Sequence, residues 1–568
     1  MSDESEVAAG GRRVVLRKLK NLMDLTADGR APLSAEAEAV LTPRLEYNRV
    51  VQLVGRAVRR DPHTGERIYV DVQPKRLYKH DDRGRLICGA GWIDTAAKLY
   101  RAAGYAVDYY DLTRRNAEIL TPDWSRLAGR PEFRRRKGDR AALDALLADA
   151  GRVDSTDNAQ VALARRVKQR EIVDAVLARV SYGLNGVVQV PPGVGKSFCL
   201  AAYMLLFPKA RIDIAVPDVD NAQKTWRHLS RYSPNVGLIG GGGKTHGRVT
   251  VFVGPSLHHA KLDADILFVD EVHKFMADNL AAKLGVVTAG TEQHPGPVCF
   301  GFSATPRGRR DGTDARLEGL FGPVVYRMAW PEATRLGLVA PIRVEWLHVA
   351  NGPVVPDGPV VPRSLGYEDI NARKRHLLWR NVSRNTLIAD RARAVPAGEQ
   401  VLIMVEKIEH ALCLKKLLPD FELVYGQHDV DKFLRYERQG DVDVDFEQMT
   451  PALRQRRREA FETGELRRVI ATDVWATGVS FDALSVLFRG DGRESPILDE
   501  QIPGRVSRAH ADKPAALVVD CDDAFDARLK LAASKRAKNY EEKSWSQSRP
   551  DAATTPPRPQ TRPRRPAG

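Results

Sequence analysis

The chain has 568 residues, 43% of them hydrophobic, with 88 Lys and Arg against 73 Asp and Glu for a formal net charge of +15. Such a chain holds about three globular domains; its composition excludes a wholly disordered or fibrous protein, and its charge points to a polyanionic partner, nucleic acid first. No run approaches the roughly 18 apolar residues of a membrane span, so no membrane partner is expected.

Five isolated cysteines (Cys88, Cys199, Cys299, Cys413, Cys521) form no C-x-x-C pair. That argues against structural zinc and a disulfide framework and suits a cytoplasmic location. The opening MSDESEVAAGGRR lacks the basic-then-apolar order of a secretory leader.

In chain order, residues 1–150 read as a small α+β unit. Tyr47, Tyr69, Tyr78, Trp92, Tyr109 and Tyr110 are interleaved there with basic residues. Aromatic platforms in a positive field stack bases, but packing in a strand-rich core is the favoured reading. A basic run, Arg134 to Lys137, precedes the next region. The stretch ARRVKQREIVDAVLAR then sets Arg166 and Gln169 just before an expected helix. The Gln169 carboxamide offers both a donor and an acceptor, the complement of the adenine N6/N7 edge.

The segment VVQVPPGVGKSFCLAAY follows. Val187 to Val190 reads as the end of a buried strand, and Phe198 to Leu206 as a buried helix. Between them, Gly193, Val194, Gly195, Lys196 and Ser197 form a loop whose N–H groups face an anion at a helix N-terminus. Lys196 would reach the β/γ-phosphates of ATP, and the Ser197 hydroxyl would ligate Mg²⁺. Val190 stands where the usual G-x-x-x-x-G-K-[ST] pattern has glycine. A second Gly-Lys-Thr, Gly243 to Thr245, is followed by a strand, Val249 to Val253, and reads as a glycine turn between two strands.

Next, ADILFVDEVHKF places Asp270-Glu271-Val272-His273 at the end of an apolar strand, Ile266 to Val269. Carboxylates at a parallel strand's carboxyl end are where Mg²⁺ must be held: Asp270 for the metal, Glu271 to orient and deprotonate the attacking water. Ser303-Ala304-Thr305 follows another apolar strand and can bond to the Asp-Glu segment, coupling nucleotide state to the rest of the chain.

The second half repeats the alternation without a phosphate loop. Strands are expected at 401–405, 421–425, 468–472, 485–488 and 515–519, with helices at 409–418 and 453–461. DEQIPGRVSRAH sets Gln501, Arg505 and Arg508 near a helix start, the two arginines suited to act as fingers on a γ-phosphate. From Arg528 on lie 11 Lys/Arg against 3 acidic residues, ending Pro-rich and without aromatics. This part is expected to be a disordered tail that contacts phosphates without sequence preference.

In this order the segments resemble superfamily 2 DExH-box helicases and translocases: Gln169 the adenine-reading motif, Gly193 to Ser197 the phosphate loop, Asp270 to His273 the DExH box. Ser303 to Thr305 matches the coupling motif, Ala471 to Phe481 with Gly478 the fifth motif, and Gln501 to Arg508 the Q-x-x-G-R-x-x-R motif. In that family the loop often lacks its first glycine. The run from Ser303 to Trp346 is similar to the XPB-like and phage UvsW-type repair branch, as is Ser480 after Gly478-Val479, where many relatives carry Asp; Asp482 is the substitute.

The resemblance implies two tandem RecA-like doubly wound α/β domains, 151–345 and 346–527, after an N-terminal α+β accessory domain (1–150) and before a basic tail (528–568). It implies an ATP hydrolase with Mg²⁺, coupled to translocation on DNA, single-stranded or branched. RNA is the alternative polymer. Repair or phage-defence proteins are the expected company.

Overall fold

A computed structural model describes residues 12–549 except 21, 53–58, 61–66, 69, 114, 134–135, 310–312, 353–373, 427–448, 476–480, 509–512 and 514, with backbone alone over the rest of 47–74. Tyr47, Tyr69, Arg134, Arg135, Gly478, Ser480 and the end of the basic tail therefore lie outside the described side chains.

The N-terminal unit is a five-stranded mixed sheet in the order Tyr78–His80, Leu86–Gly89, Leu22–Thr26, Arg13–Leu19, Ala106–Asp111. Two helices, Ala35–Leu45 and Ile93–Ala102, cover it. Its core holds Leu16, Met23, Leu41, Trp92 and Tyr100. Trp92 is thus a core aromatic, whereas Tyr109 and Tyr110 stay exposed.

This unit sits tightly on the next domain. A Cβ on Gly91 would come within 2.0 Å of the Glu318 carbonyl oxygen, and one on Gly89 within 2.4 Å of that of Gly319. Only glycine allows that backbone approach. Arg179 clamps Asp94 across the same junction with two bonds of 2.9 and 2.6 Å.

The second domain is built on an eight-stranded sheet, parallel except for Gly243–Thr245, with Ile212–Val216, Ile266–Asp270, Val298–Ser303 and Gly186–Gln189 adjacent at its centre. These strands are buried almost throughout, which is why they read as largely apolar runs, Asp213 being the interior exception. The second Gly-Lys-Thr is the return strand of a hairpin; the turn itself is Gly240 to Gly242, all at positive φ. Gln169 and Arg166 do not precede a helix, as expected, but lie inside one, Asn158–Val180. Asp157 caps it, well upstream of Gln169, by accepting from the Ala159 and Gln160 N–H groups.

The third domain is a seven-stranded parallel sheet in the order Glu422–Val424, Arg468–Ala471, Gln400–Met404, Leu484–Arg489, Ala516–Cys521, Ile342–Leu347, Ser546–Ser548. Two expectations are corrected here. The boundary at 345 falls inside Ile342–Leu347, a strand that pairs with Ala516–Cys521 and so belongs to the second sheet. The tail does not start at Arg528: Ala527–Glu541 is a helix capped by Asp526, and Ser546–Ser548 adds an edge strand. Burial of Ala533, Arg536 and Tyr540 along one helical face orders this stretch despite its charge. The architecture is that of two RecA-like domains behind an accessory domain.

Candidate active site

Parallel register brings the site together. Gln189 pairs with Ser303, and Asp270 with Phe302, so phosphate loop, acidic segment and Ser303 emerge side by side at the carboxyl ends of adjacent strands. Val190, fully buried, donates its N–H to the Ser303 carbonyl at 3.1 Å. It is still part of the strand's pairing, and so the loop turns only at Gly193 (φ 90°) and Gly195 (φ 107°).

Gly195 stands immediately before the helix Lys196–Leu206. A Cβ there would meet Gln169 Nε2 at 2.0 Å. Gln169 is buried and donates to the Val194 carbonyl at 3.1 Å, so its amide braces the loop and leaves the carbonyl oxygen for a base. Beside it opens a cavity of about 460 Å³ lined by Phe133, Arg136, Arg166, Phe198 and Ala202 among others. Phe133 stacks on Phe198 with centroids 4.3 Å apart. Sequence reading passed over Phe133 because nothing local ties it to a helix 25 residues further on.

Lys196 Nζ lies 3.1 Å from Asp270 and 3.0 Å from Glu271. Burial disfavours its charge, but the two carboxylates outweigh burial and raise its pKa. Asp270 is pushed up by burial, while Glu271 is held low, burial there being overcome by Lys196 and His273. Glu271 is therefore an ionised base beside a lysine. It also adopts the left-handed region at φ 49°, a conformation that costs a non-glycine residue about 1–3 kcal/mol and clusters at functional sites. Its Oε2 is buried without a hydrogen bond.

His273 is buried between the domains. With the Gln501 amide in the observed orientation, Gln501 Nε2 donates to His273 Nε2 at 2.8 Å, so the ring proton sits on Nδ1 and goes to Ser303 Oγ, also 2.8 Å away. Ser303 Oγ further accepts from the Thr305 N–H at 3.1 Å, and the Ala304 carbonyl accepts from Gln189 at 3.1 Å. Gln501 comes from the second RecA-like domain, so the Asp270–His273, Ser303–Thr305 and Gln501–Arg508 segments meet through one imidazole.

Burial lowers the His273 pKa to about 4. An unfolded histidine titrates near ~6.5, so between those values the unfolded chain holds a proton that the folded chain does not. This group's contribution to stability is complete above ~6.5 and is lost as pH falls towards the folded value. In an NMR titration the His273 ring should stay neutral down to about pH 5; a midpoint near ~6.5 would contradict its placement.

The two arginines part company. Arg505 is partly buried and lies in the field of Glu271 and Asp218; desolvation lowers its pKa to about 10, and it remains protonated at neutral pH. Arg508 instead bonds Asp482 at 2.7 Å within its own domain. Asp218, the N-cap of Val219–Ser230, escaped the sequence reading. Its signal was the acidic residue after a buried strand. Arg309, which donates to the His273 carbonyl at 3.0 Å, had none. Gly478 lies outside the described residues.

Residues 163–308 match the family described as Type III restriction enzyme, res subunit, and residues 389–510 match the helicase conserved C-terminal domain. The chain is a superfamily 2 helicase. Its matched segments hold Gln169 to Thr305 and Gly478 to Arg508. No curated protein matches the helicase in sequence. Among solved structures it is similar to Saccharomyces cerevisiae Dbp5 bound to RNA and ADP BeF3, at 13% identity and a TM-score of 0.45, over 71% of this chain and 96% of that one. It is also similar to T4 UvsW, at 14% identity and a TM-score of 0.35, over 94% and 99%.

The helicase's oxygen donors fit Mg²⁺. Among the described residues no group of three His, Cys, Asp or Glu could hold a metal by itself. Ser197 and Asp270 would supply the one or two protein oxygens that Mg²⁺ takes alongside phosphates and water. Asp270 Oδ1 is buried and faces the Lys196 ammonium without a well-aligned hydrogen bond. Bound there, the ion would neutralise charge developing on the phosphates.

Proposed function

We propose that this helicase is a DNA translocase in which Lys196, Glu271 and Arg505 drive ATP hydrolysis, and His273 with Gln501 relays the nucleotide state between the domains. The observation that carries the reading is the meeting of Lys196, Asp270 and Glu271 at adjoining strand ends, with Gln501 reaching His273 from the other domain. On ATP binding, the Lys196 ammonium exchanges carboxylates for phosphate oxygens and frees Glu271 to take a proton from the attacking water. Loss of the γ-phosphate restores the Lys196–Glu271 pair and relaxes the cleft.

Two features support DNA. Residues 163–308 match a restriction-enzyme subunit family, and restriction enzymes act on DNA; the Ser303 to Trp346 run supports the XPB-like and UvsW-type repair branch. A motor subunit of a restriction or phage-defence assembly is the second reading, favoured by the same match; a nuclease co-purifying with the chain would establish it.

The test is ATP hydrolysis measured in parallel with single-stranded, duplex and forked DNA and with RNA. DNA should stimulate turnover more than RNA, forked DNA most. Equal or stronger stimulation by RNA would overturn the DNA assignment and leave the ATPase intact.

A further inference from the structure

Residues 526–549 carry buried polar side chains that the site described above does not use. Asp520, at the end of a sheet strand, is gripped by Arg536 at 2.9 and 3.0 Å and accepts the Tyr540 hydroxyl at 2.8 Å. The Tyr540 oxygen in turn accepts from Arg489 Nη1 at 2.8 Å, and the same nitrogen donates to Asp499 at 2.7 Å. Asn539 Nδ2 donates to the other Asp499 oxygen, again at 2.7 Å. Asp499 is fully buried and stands two residues before Gln501, on the same short helix, Leu498–Gln501.

The C-terminal segment also reaches the other domain. Trp545 packs edge-on against Trp330 at 5.2 Å, while Lys543 Nζ lies 3.8 Å from Glu500 of its own domain. Trp330 opens the helix Trp330–Arg335, which a Lys168–Glu332 pair of 2.8 Å ties to the first RecA-like domain. A helix needs only apolar contacts to stay attached. Buried ions and amides add little net stability, because desolvation offsets their attraction; what they supply is fixed geometry. Here the geometry joins two carboxylates, Asp520 and Asp499, through the Tyr540 hydroxyl and Arg489, and Asp499 lies on the turn presenting Gln501 and Arg505.

We propose that Asn539 and Tyr540 are positioning residues for ATP turnover: Asn539 directly through Asp499, and Tyr540 through Arg489 and Asp499, hold the Gln501–Arg505 segment in register with His273. The C-terminal helix is thus a brace for the catalytic cleft. The inference rests on the reading of Gln501 as the interdomain relay.

A double-mutant cycle in the full chain tests it, using steady-state ATP hydrolysis at saturating poly(dT) with melting temperatures recorded alongside. Asn539→Ala should lower kcat by about tenfold and leave KM for ATP within about twofold, the signature of a lost transition-state contact. In a Gln501→Ala background the same change should cost less than about twofold, because residues acting through one contact are not additive. Tyr540→Phe, which removes only the hydroxyl, should repeat the pattern and serves if Asn539→Ala fails to fold. Equal losses in both backgrounds, or an unchanged kcat in a folded single variant, would overturn the brace. A neutral Gln501→Ala would overturn the relay, and the brace with it.

Discussion

Glu271→Gln should bind ATP and fail to turn it over, with kcat down by about 10²–10⁴-fold, the usual contribution of a general base. The amide matches the carboxylate in shape but cannot accept the proton of the attacking water. Binding should survive, because the phosphates are held by Lys196 and the loop N–H groups. The variant should even bind slightly tighter: Lys196 now pairs with Glu271 and Asp270, and a neutral amide in place of the carboxylate competes less for its charge. Lys196→Ala gives the opposite profile, losing affinity first. Fluorescent-nucleotide binding and single-turnover hydrolysis separate the two, and turnover at the unmodified rate in Glu271→Gln would remove Glu271 from the role of base.

Arg505→Ala should cost on the order of 10³ in stimulated hydrolysis, the scale of an arginine finger, with nucleotide affinity within a few-fold. Its partly buried guanidinium lies in the field of Glu271 and Asp218, where a γ-phosphate would replace the carboxylates as its counter-charge. Arg508→Ala should cost far less. Its side chain is part-exposed on Asp482, and exposed pairs of this kind contribute ~0–1 kcal/mol. Asp482→Ala should then resemble Arg508→Ala. Equal losses for the two arginine variants would mean that Arg508 leaves Asp482 and enters the cleft when ATP binds.

The site was legible wherever chemistry is written in contiguous residues. The phosphate loop, Asp270–His273 and Ser303–Thr305 each follow a strand whose apolar run announces it, so register does the rest. Gln501 could be placed by its motif, but its bond to His273 joins residues far apart in the chain and is invisible to local pattern. The partner of Arg508 is hidden for the same reason. Asp482, raised only as a substitute ligand, claims its guanidinium across a fold.

Two boundaries failed for other physical causes. Ile342–Leu347 looks like the last strand of the domain before it, yet parallel sheets recruit strands by crossover and not by proximity. Ala527–Glu541 was overlooked because Pro and Arg further on dominate the composition of the whole segment. Its helix signal is local: Asp526 as cap, then Ala, Leu and Lys, good helix formers.

The backbone contact at Gly89 and Gly91 has a mechanical consequence. Side-chain interfaces can slide by exchanging rotamers, but a main chain lying against another main chain has no such compliance. The N-terminal unit and the first RecA-like domain therefore make one stiff arm, pinned further by Arg179 on Asp94. In the proposed cycle, each closure of the cleft would swing the whole arm against the second RecA-like domain. The exposed Tyr109 and Tyr110 edge rides on that arm, so a hinge angle set at the nucleotide becomes a displacement of the accessory surface.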